Sequence, residues 1–98
     1  MTITKAIAAS RSYVQILRSG NQWVVISPHY PNKIDGPSTQ SNPTDYWQAI
    51  AHATRAISVV ALAIMGACSY DAAFIACETP GDVRTRVRAG LRAFAKCQ

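Results

Sequence analysis

Ninety-eight residues and 10.6 kDa leave room for one domain with a modest core, and none for a cofactor domain beside a substrate domain. At 49% hydrophobic and 15% charged residues, the composition is globular rather than disordered. Ten Lys and Arg stand against five Asp and Glu, and the resulting net charge of +5 excludes an acidic mimic of nucleic acid and favours a partner with phosphates or an acidic face.

The first eleven residues have no apolar run of the length a signal peptide needs. Ala6, Ile7 and Ala9 permit a turn of helix there without requiring one. Residues 12–30 predict a β-hairpin. Ser12–Arg18 and Gln22–Ser27 are rich in β-branched and aromatic residues and flank a Ser19-Gly20-Asn21 turn, and Pro28 and Pro31 then end regular pairing. Residues 31–43 are dense in turn formers and read as a long loop with a short edge strand near Ser38–Gln40. Such a loop is either a working part or a connector.

Thr44 is placed to cap a helix that runs to about Met65, where Gly66 stops it. Tyr46, Ile50, Ala53, Ile57, Val60 and Ile64 recur at helical spacing and form an apolar face. Gln48, His52 and Arg55 wet the opposite side in the first half only, and Val59 and Leu62 take that side in the second. The longest apolar stretch, Ala56 to Cys68, is too short to span a bilayer and predicts a buried helix in a soluble, cytoplasmic protein with no membrane association. Ser69 caps a shorter helix through about Cys77. Thr79-Pro80-Gly81-Asp82 has the pattern of a capping box, with Thr79 as the cap of a last helix from Pro80 to about Lys96.

Charge is uneven along the chain. Residues 1–43 carry +3, residues 44–78 carry −2, and residues 79–98 carry +4. In the last helix Arg84, Arg88, Arg92 and Lys96 are four apart and form a slowly drifting row, and Arg86 is the helix's fifth cation. Val83, Val87, Leu91 and Phe94 make the adjacent apolar face. Arginine's planar fork suits phosphates, guanine edges and carboxylates. The row is either a solvated face or a surface for nucleic acid or an acidic partner, and like charges at this spacing cost a lone helix stability, which favours the partner. Tyr13, Trp23, Tyr30, Tyr46 and Trp47 cluster around the hairpin and the long helix. Tyr30 and Trp47 are the expected exposed anchors, since Trp, Tyr and Arg dominate binding hot spots.

No chemistry-bearing motif appears. The three cysteines, Cys68, Cys77 and Cys97, are odd in number, lack C-x-x-C spacing, and are expected to be reduced packing residues. His29 and His52 have no evident catalytic partner, and there is no Gly-rich phosphate loop, H-E-x-x-H or G-x-S-x-G. The expectation is a non-enzymatic protein with no cofactor and no metal.

Two resemblances follow. Ser69-Tyr-Asp-Ala-Ala73 followed by Thr79-Pro-Gly-Asp-Val-Arg-Thr-Arg-Val87 resembles the helix-turn-helix of sigma-factor and response-regulator DNA-binding domains. Gly81 falls at the turn, Val83 and Val87 at buried positions and Arg86 at a contacting one, but the turn is one residue short and Cys77-Glu78 departs from the usual helix ending. Over its whole length the chain is similar in make-up to the small anti-CRISPR proteins of phages and mobile elements: a hairpin, Ala-rich helices, no catalytic motif and concentrated charge. That resemblance implies a stoichiometric inhibitor of a Cas effector complex or nuclease in the host bacterial cytoplasm. Its contacts would be Arg84, Arg86, Arg88, Arg92, Lys96, Tyr30 and Trp47, with guide RNA or target DNA within reach. The expected fold is α+β, a small antiparallel sheet packed against three helices in one domain over residues 1–98.

Overall fold

In the computed structural model, which describes residues 2–20, 22–27, 39–41 and 46–96, the chain starts with a helix. The Thr2 hydroxyl accepts the Lys5 backbone N–H (3.2 Å), and α1 runs Ile3–Ser10. Its alanines let it lie close against the protein, with Ala6 and Ile7 buried. A 3₁₀ turn, Arg11–Tyr13, follows where the sequence predicts the first residues of a strand. Its start is tied back by the Ser12 hydroxyl, which donates to the Ala9 carbonyl (2.8 Å).

The hairpin forms as expected, but with a tighter turn. β1 (Gln15–Ser19) and β2 (Gln22–Ser27) pair antiparallel with Ser19 opposite Gln22, so only Gly20 and Asn21 lie between them. Gly20 has φ +61°, a left-handed conformation that glycine adopts without strain. β3 (Thr39–Ser41) lies against β2, close to the expected edge strand, and gives the sheet order β1-β2-β3. The two-residue period puts Val14, Ile16, Trp23 and Val25 on the inner face.

α2 (Tyr46–Ile64) is the helix around which everything else packs. Its first half sets Ala49 and Ala53 against that inner sheet face. Its second half is buried without a break from Ser58 to Leu62 and packs against α1, α3 (Tyr70–Glu78) and α4 (Val83–Lys96). The wetted start and enclosed end thus follow the sequence pattern. α2 is also longer than the apolar stretch suggested: 19 residues with a mean hydropathy of 1.3, enough by length and composition to cross a bilayer. Here its apolar side chains serve the fold, with eight of its residues buried. The helix ends in a Schellman motif. Ala67 N–H donates to Leu62 O (2.9 Å), Gly66 N–H donates to Ala63 O (3.0 Å), and Gly66 takes φ +70°.

The helical core joins Ala6, Ile7, Ala61, Leu62, Ala67, Ala72, Ala76 and Val87. Packing is closest at Gly90, where a Cβ would come within 2.6 Å of Leu62 Cδ1 and 3.2 Å of the Ala72 carbonyl. Ser69 caps α3 as expected, its hydroxyl accepting Ala72 N–H at 3.1 Å.

The start of α4 corrects the capping-box expectation. Thr79 closes α3 instead, with both its N–H (2.9 Å) and its hydroxyl (2.7 Å) donating to the Ile75 carbonyl. It is extended, as a residue before proline prefers. Asp82 is the cap, Oδ1 accepting Thr85 N–H at 2.8 Å. The architecture is α+β, with four helices among the described residues rather than three.

Candidate basic binding surface

α4 carries five cations and no carboxylate between Val83 and Lys96. Its inner face is the expected one. Val87 and Gly90 are buried, and Val83, Leu91 and Phe94 pack against the helical core. The helix is therefore fixed in rotation, and Arg88, Arg92 and Lys96 are held in solvent. Successive members of the row rise about 6 Å and turn about 40°. Among the described residues none of these three side chains makes a hydrogen bond or an ion pair.

Arg84 and Arg86 differ from them. Arg84 is half-buried and donates from Nη2 to Thr4 Oγ1 (2.7 Å), which ties the start of α4 to α1. Arg86 is turned into the α3–α4 connection. Its Nη1 donates to the carbonyls of Cys77 (2.7 Å) and Ala76 (3.2 Å), and its Nε to Gly81 O (3.0 Å). It supplies a cation and donors to the carbonyl end of α3, where the helix dipole is negative. Of the predicted contact residues, then, Arg84, Arg88, Arg92 and Lys96 share one side of α4, and Arg86 is committed to the turn.

Asp82 is the one acid close to the row's start. Its carboxyl is held below the usual carboxylate range, first by the Thr85 backbone N–H, then by the Thr85 hydroxyl, with Arg84 and Arg88 adding attraction. The carboxylate also suits the positive end of α4.

At the other end of the protein an aromatic cluster faces water. Trp47 is 77% exposed and Tyr46 48% exposed. Trp23 and Tyr46 meet with ring centroids 5.0 Å apart, Tyr46 and Trp47 at 6.2 Å, and the Arg18 guanidinium lies 5.2 Å from the Trp23 centroid. Trp47 is exposed, as the sequence predicts. Tyr30, His29, the Thr44 cap and Cys97 lie outside the described residues. The sequence already puts Tyr46 in this cluster. Arg18 counts there only as charge, although it stands opposite Trp23 once the hairpin register is known.

Two shallow concavities, of about 320 and 340 Å³, lie where α1 meets α4, and Ile7, Arg11 and Arg84 line both. Arg11 was counted only as charge in the sequence. Among the described residues no group of three His, Cys, Asp or Glu side chains gathers to hold a metal. Cys68 is exposed and Cys77 half-buried, and neither is in a disulfide. Exposed Cys68 departs from the packing role expected of it, because it lies in the connection between α2 and α3 rather than on a helix face.

Together these features define a small α+β fold with a cationic helix face, an exposed aromatic cluster at the start of α2, and further exposed rings, Tyr70 and Phe74, on α3. No protein-family model, curated protein or solved structure matches the chain.

Proposed function

We propose that this is a non-enzymatic binding protein whose main contact surface is the row Arg84, Arg88, Arg92 and Lys96 on α4. The observation that carries this is a row of cations, three of them with no hydrogen bond or ion pair among the described residues, on a helix locked by its buried opposite face. The helix dipole accounts for Arg92 and Lys96, near the negative C-terminal end. It does not account for Arg84 and Arg88, which lie toward the positive end. Like charges four apart also cost helix stability with no acid between them to offset it. A partner rich in phosphates or carboxylates accounts for all four.

The partner best matched by the chain's size and make-up is a Cas effector complex or nuclease in the bacterial cytoplasm. The protein would act as an anti-CRISPR inhibitor, covering a surface needed for target DNA binding or cleavage, with guide RNA or target DNA within reach of the row and Trp47 as a second anchor. The test is affinity capture from a bacterial lysate expressing a type I effector, with and without nuclease. Recovery of Cas subunits after nuclease treatment is the expected result. Failure of any Cas complex to bind, together with no protection of an infecting phage, would remove this reading.

One observation favours a second reading, a small helix-turn-helix regulator of transcription. α3 and α4 are joined by only four residues, and Arg84 and Arg88 lie near the start of the second helix. That reading expects duplex DNA binding that weakens steeply with salt and is reduced by Arg88→Ala. Recovery of nucleic acid alone, lost on nuclease treatment, would favour it.

A further inference from the structure

Arg11 and Arg84 are 73 positions apart in the chain, yet they line the same two concavities between α1 and α4. The two spaces differ in one respect that matters to a charged ligand. The first is bordered by Asp82 and Thr54. The second, of about 340 Å³, is lined by Thr4, Ile7, Ala8, Arg11 and Arg84 and has no carboxylate.

The donors there are largely unused, and Arg84 is oriented by Thr4. Thr4 Oγ1 accepts from Arg84 Nη2, which fixes that guanidinium and leaves the Thr4 hydroxyl proton available to another acceptor. Arg84 has further N–H groups beyond this bond, and among the described residues the Arg11 side chain has no hydrogen-bonding partner. The last residue of α1 and the 3₁₀ turn hold the Arg11 backbone, and its N–H donates to Ala9 O and Ile7 O. Ile7 and Ala8 form an apolar wall, against which charge-assisted hydrogen bonds strengthen.

We propose that this groove is a phosphate seat, with the guanidiniums of Arg11 and Arg84 and the hydroxyl of Thr4 as its donors. A carboxylate has two oxygens and one charge and is satisfied by a single fork. Two forks and a hydroxyl match a group with three free oxygens and a charge of about −1.5 to −2. The space exceeds a lone phosphate, so the phosphate enters as the end of a larger molecule, either a mononucleotide or the 5′-phosphorylated end of a nucleic-acid strand; an internal phosphodiester, with two free oxygens and one charge, fits no better than a carboxylate. Where the source is a strand end, the seat rests on the basic-surface reading above, since Arg88, Arg92 and Lys96 continue the same helix side.

The test follows the Arg Nε–H NMR signals of the full chain at low salt. The probes are inorganic phosphate, adenosine monophosphate and a short 5′-phosphorylated oligothymidylate. The expected result is saturable shifts of the Arg11 and Arg84 signals with each probe. Arg11→Ala should weaken phosphate affinity by about tenfold or more while leaving the thermal midpoint near its original value, and Thr4→Val should weaken it likewise while also lowering the midpoint through the lost bond to Arg84. A row variant (Arg88, Arg92 and Lys96 to Ala) should still bind phosphate and the mononucleotide. If a strand end is the source, the 5′-phosphorylated oligothymidylate binds tightest and loses affinity in the row variant. If a nucleotide is the source, the mononucleotide binds tightest and the row variant leaves it unchanged. Non-saturating shifts spread over all arginines, or unchanged affinity in Arg11→Ala, would overturn the seat. Cas capture by a protein that gives no phosphate shifts would overturn the seat alone. Saturable shifts without Cas capture would uphold the seat and remove the inhibitor reading.

Discussion

The two halves of α2 support two different kinds of surface. Its C-terminal half is enclosed by three helices around eight buried residues, from Ala6 to Val87. Its N-terminal half meets a three-stranded sheet, and among the described residues Val25, Ala49 and Ala53 are buried there, with Val14, Ile16 and Trp23 partly covered. The cationic row lies over the well-packed half, so its spacing is set by a rigid helix. The Trp23, Tyr46 and Trp47 cluster lies at the sheet half, where Tyr46 and Trp47 remain in water. The cationic row is thus displayed on the helical half and this ring cluster on the sheet half, while α3 exposes Tyr70 and Phe74 of its own.

The sharpest way to break this comparison is to empty each core in turn. Leu62 is fully buried, and Leu62→Ala is expected to cost about 2–5 kcal/mol in urea unfolding. Val25→Ala, at the sheet end, is expected to cost no more than about 2 kcal/mol. Equal losses would mean the two ends are equally well packed. Gly90→Ala probes the tightest approach in the helical end. The added methyl meets Leu62 and the Ala72 carbonyl, so a loss of about 1–3 kcal/mol is expected, although alanine favours helix by up to about 1 kcal/mol.

A smaller effect separates arginines that build the fold from those that do not. Arg86→Ala removes three hydrogen bonds from the α3–α4 connection and should lower stability by about 1–2 kcal/mol. Arg88→Ala touches nothing in the fold and should stay within about 0.5 kcal/mol of the parent in the same melt. The smallest expected effect is a pH dependence. The Asp82 carboxyl is depressed below its ordinary 3.8 in the folded chain, chiefly by the Thr85 N–H. Its contribution is therefore present above that pH and lost as pH falls through the folded value. Asp82→Asn should flatten that acid limb in pH-dependent melting.

Much of this was legible from local signals. Gly66, Ser69 and the Ser19–Gln22 neighbourhood act through bonds only a few residues long, so sequence spacing locates them. The inner face of α4 was legible too, because Val83, Val87, Leu91 and Phe94 keep helical period over four turns. Thr79 misled because two threonine- or aspartate-headed starts overlap there. The proline after Thr79 and the positive φ of Gly81 decide for Asp82. The role of Arg86 depends on carbonyls nine and ten residues earlier, and the Arg11–Arg84 groove on helices from opposite ends of the chain. Neither leaves a periodic trace in the sequence.

The central claim is that the row on α4 is held out of the fold for a partner. The most direct test is the charge reversal of Arg88, Arg92 and Lys96 to Glu in one protein, measured by thermal melting and by nuclease-treated capture of a type I Cas effector. The account predicts a melting midpoint close to the parent's and complete loss of capture. Capture that survives the reversal, with binding lost instead in Trp47→Ala, would contradict it and move the contact to the aromatic end.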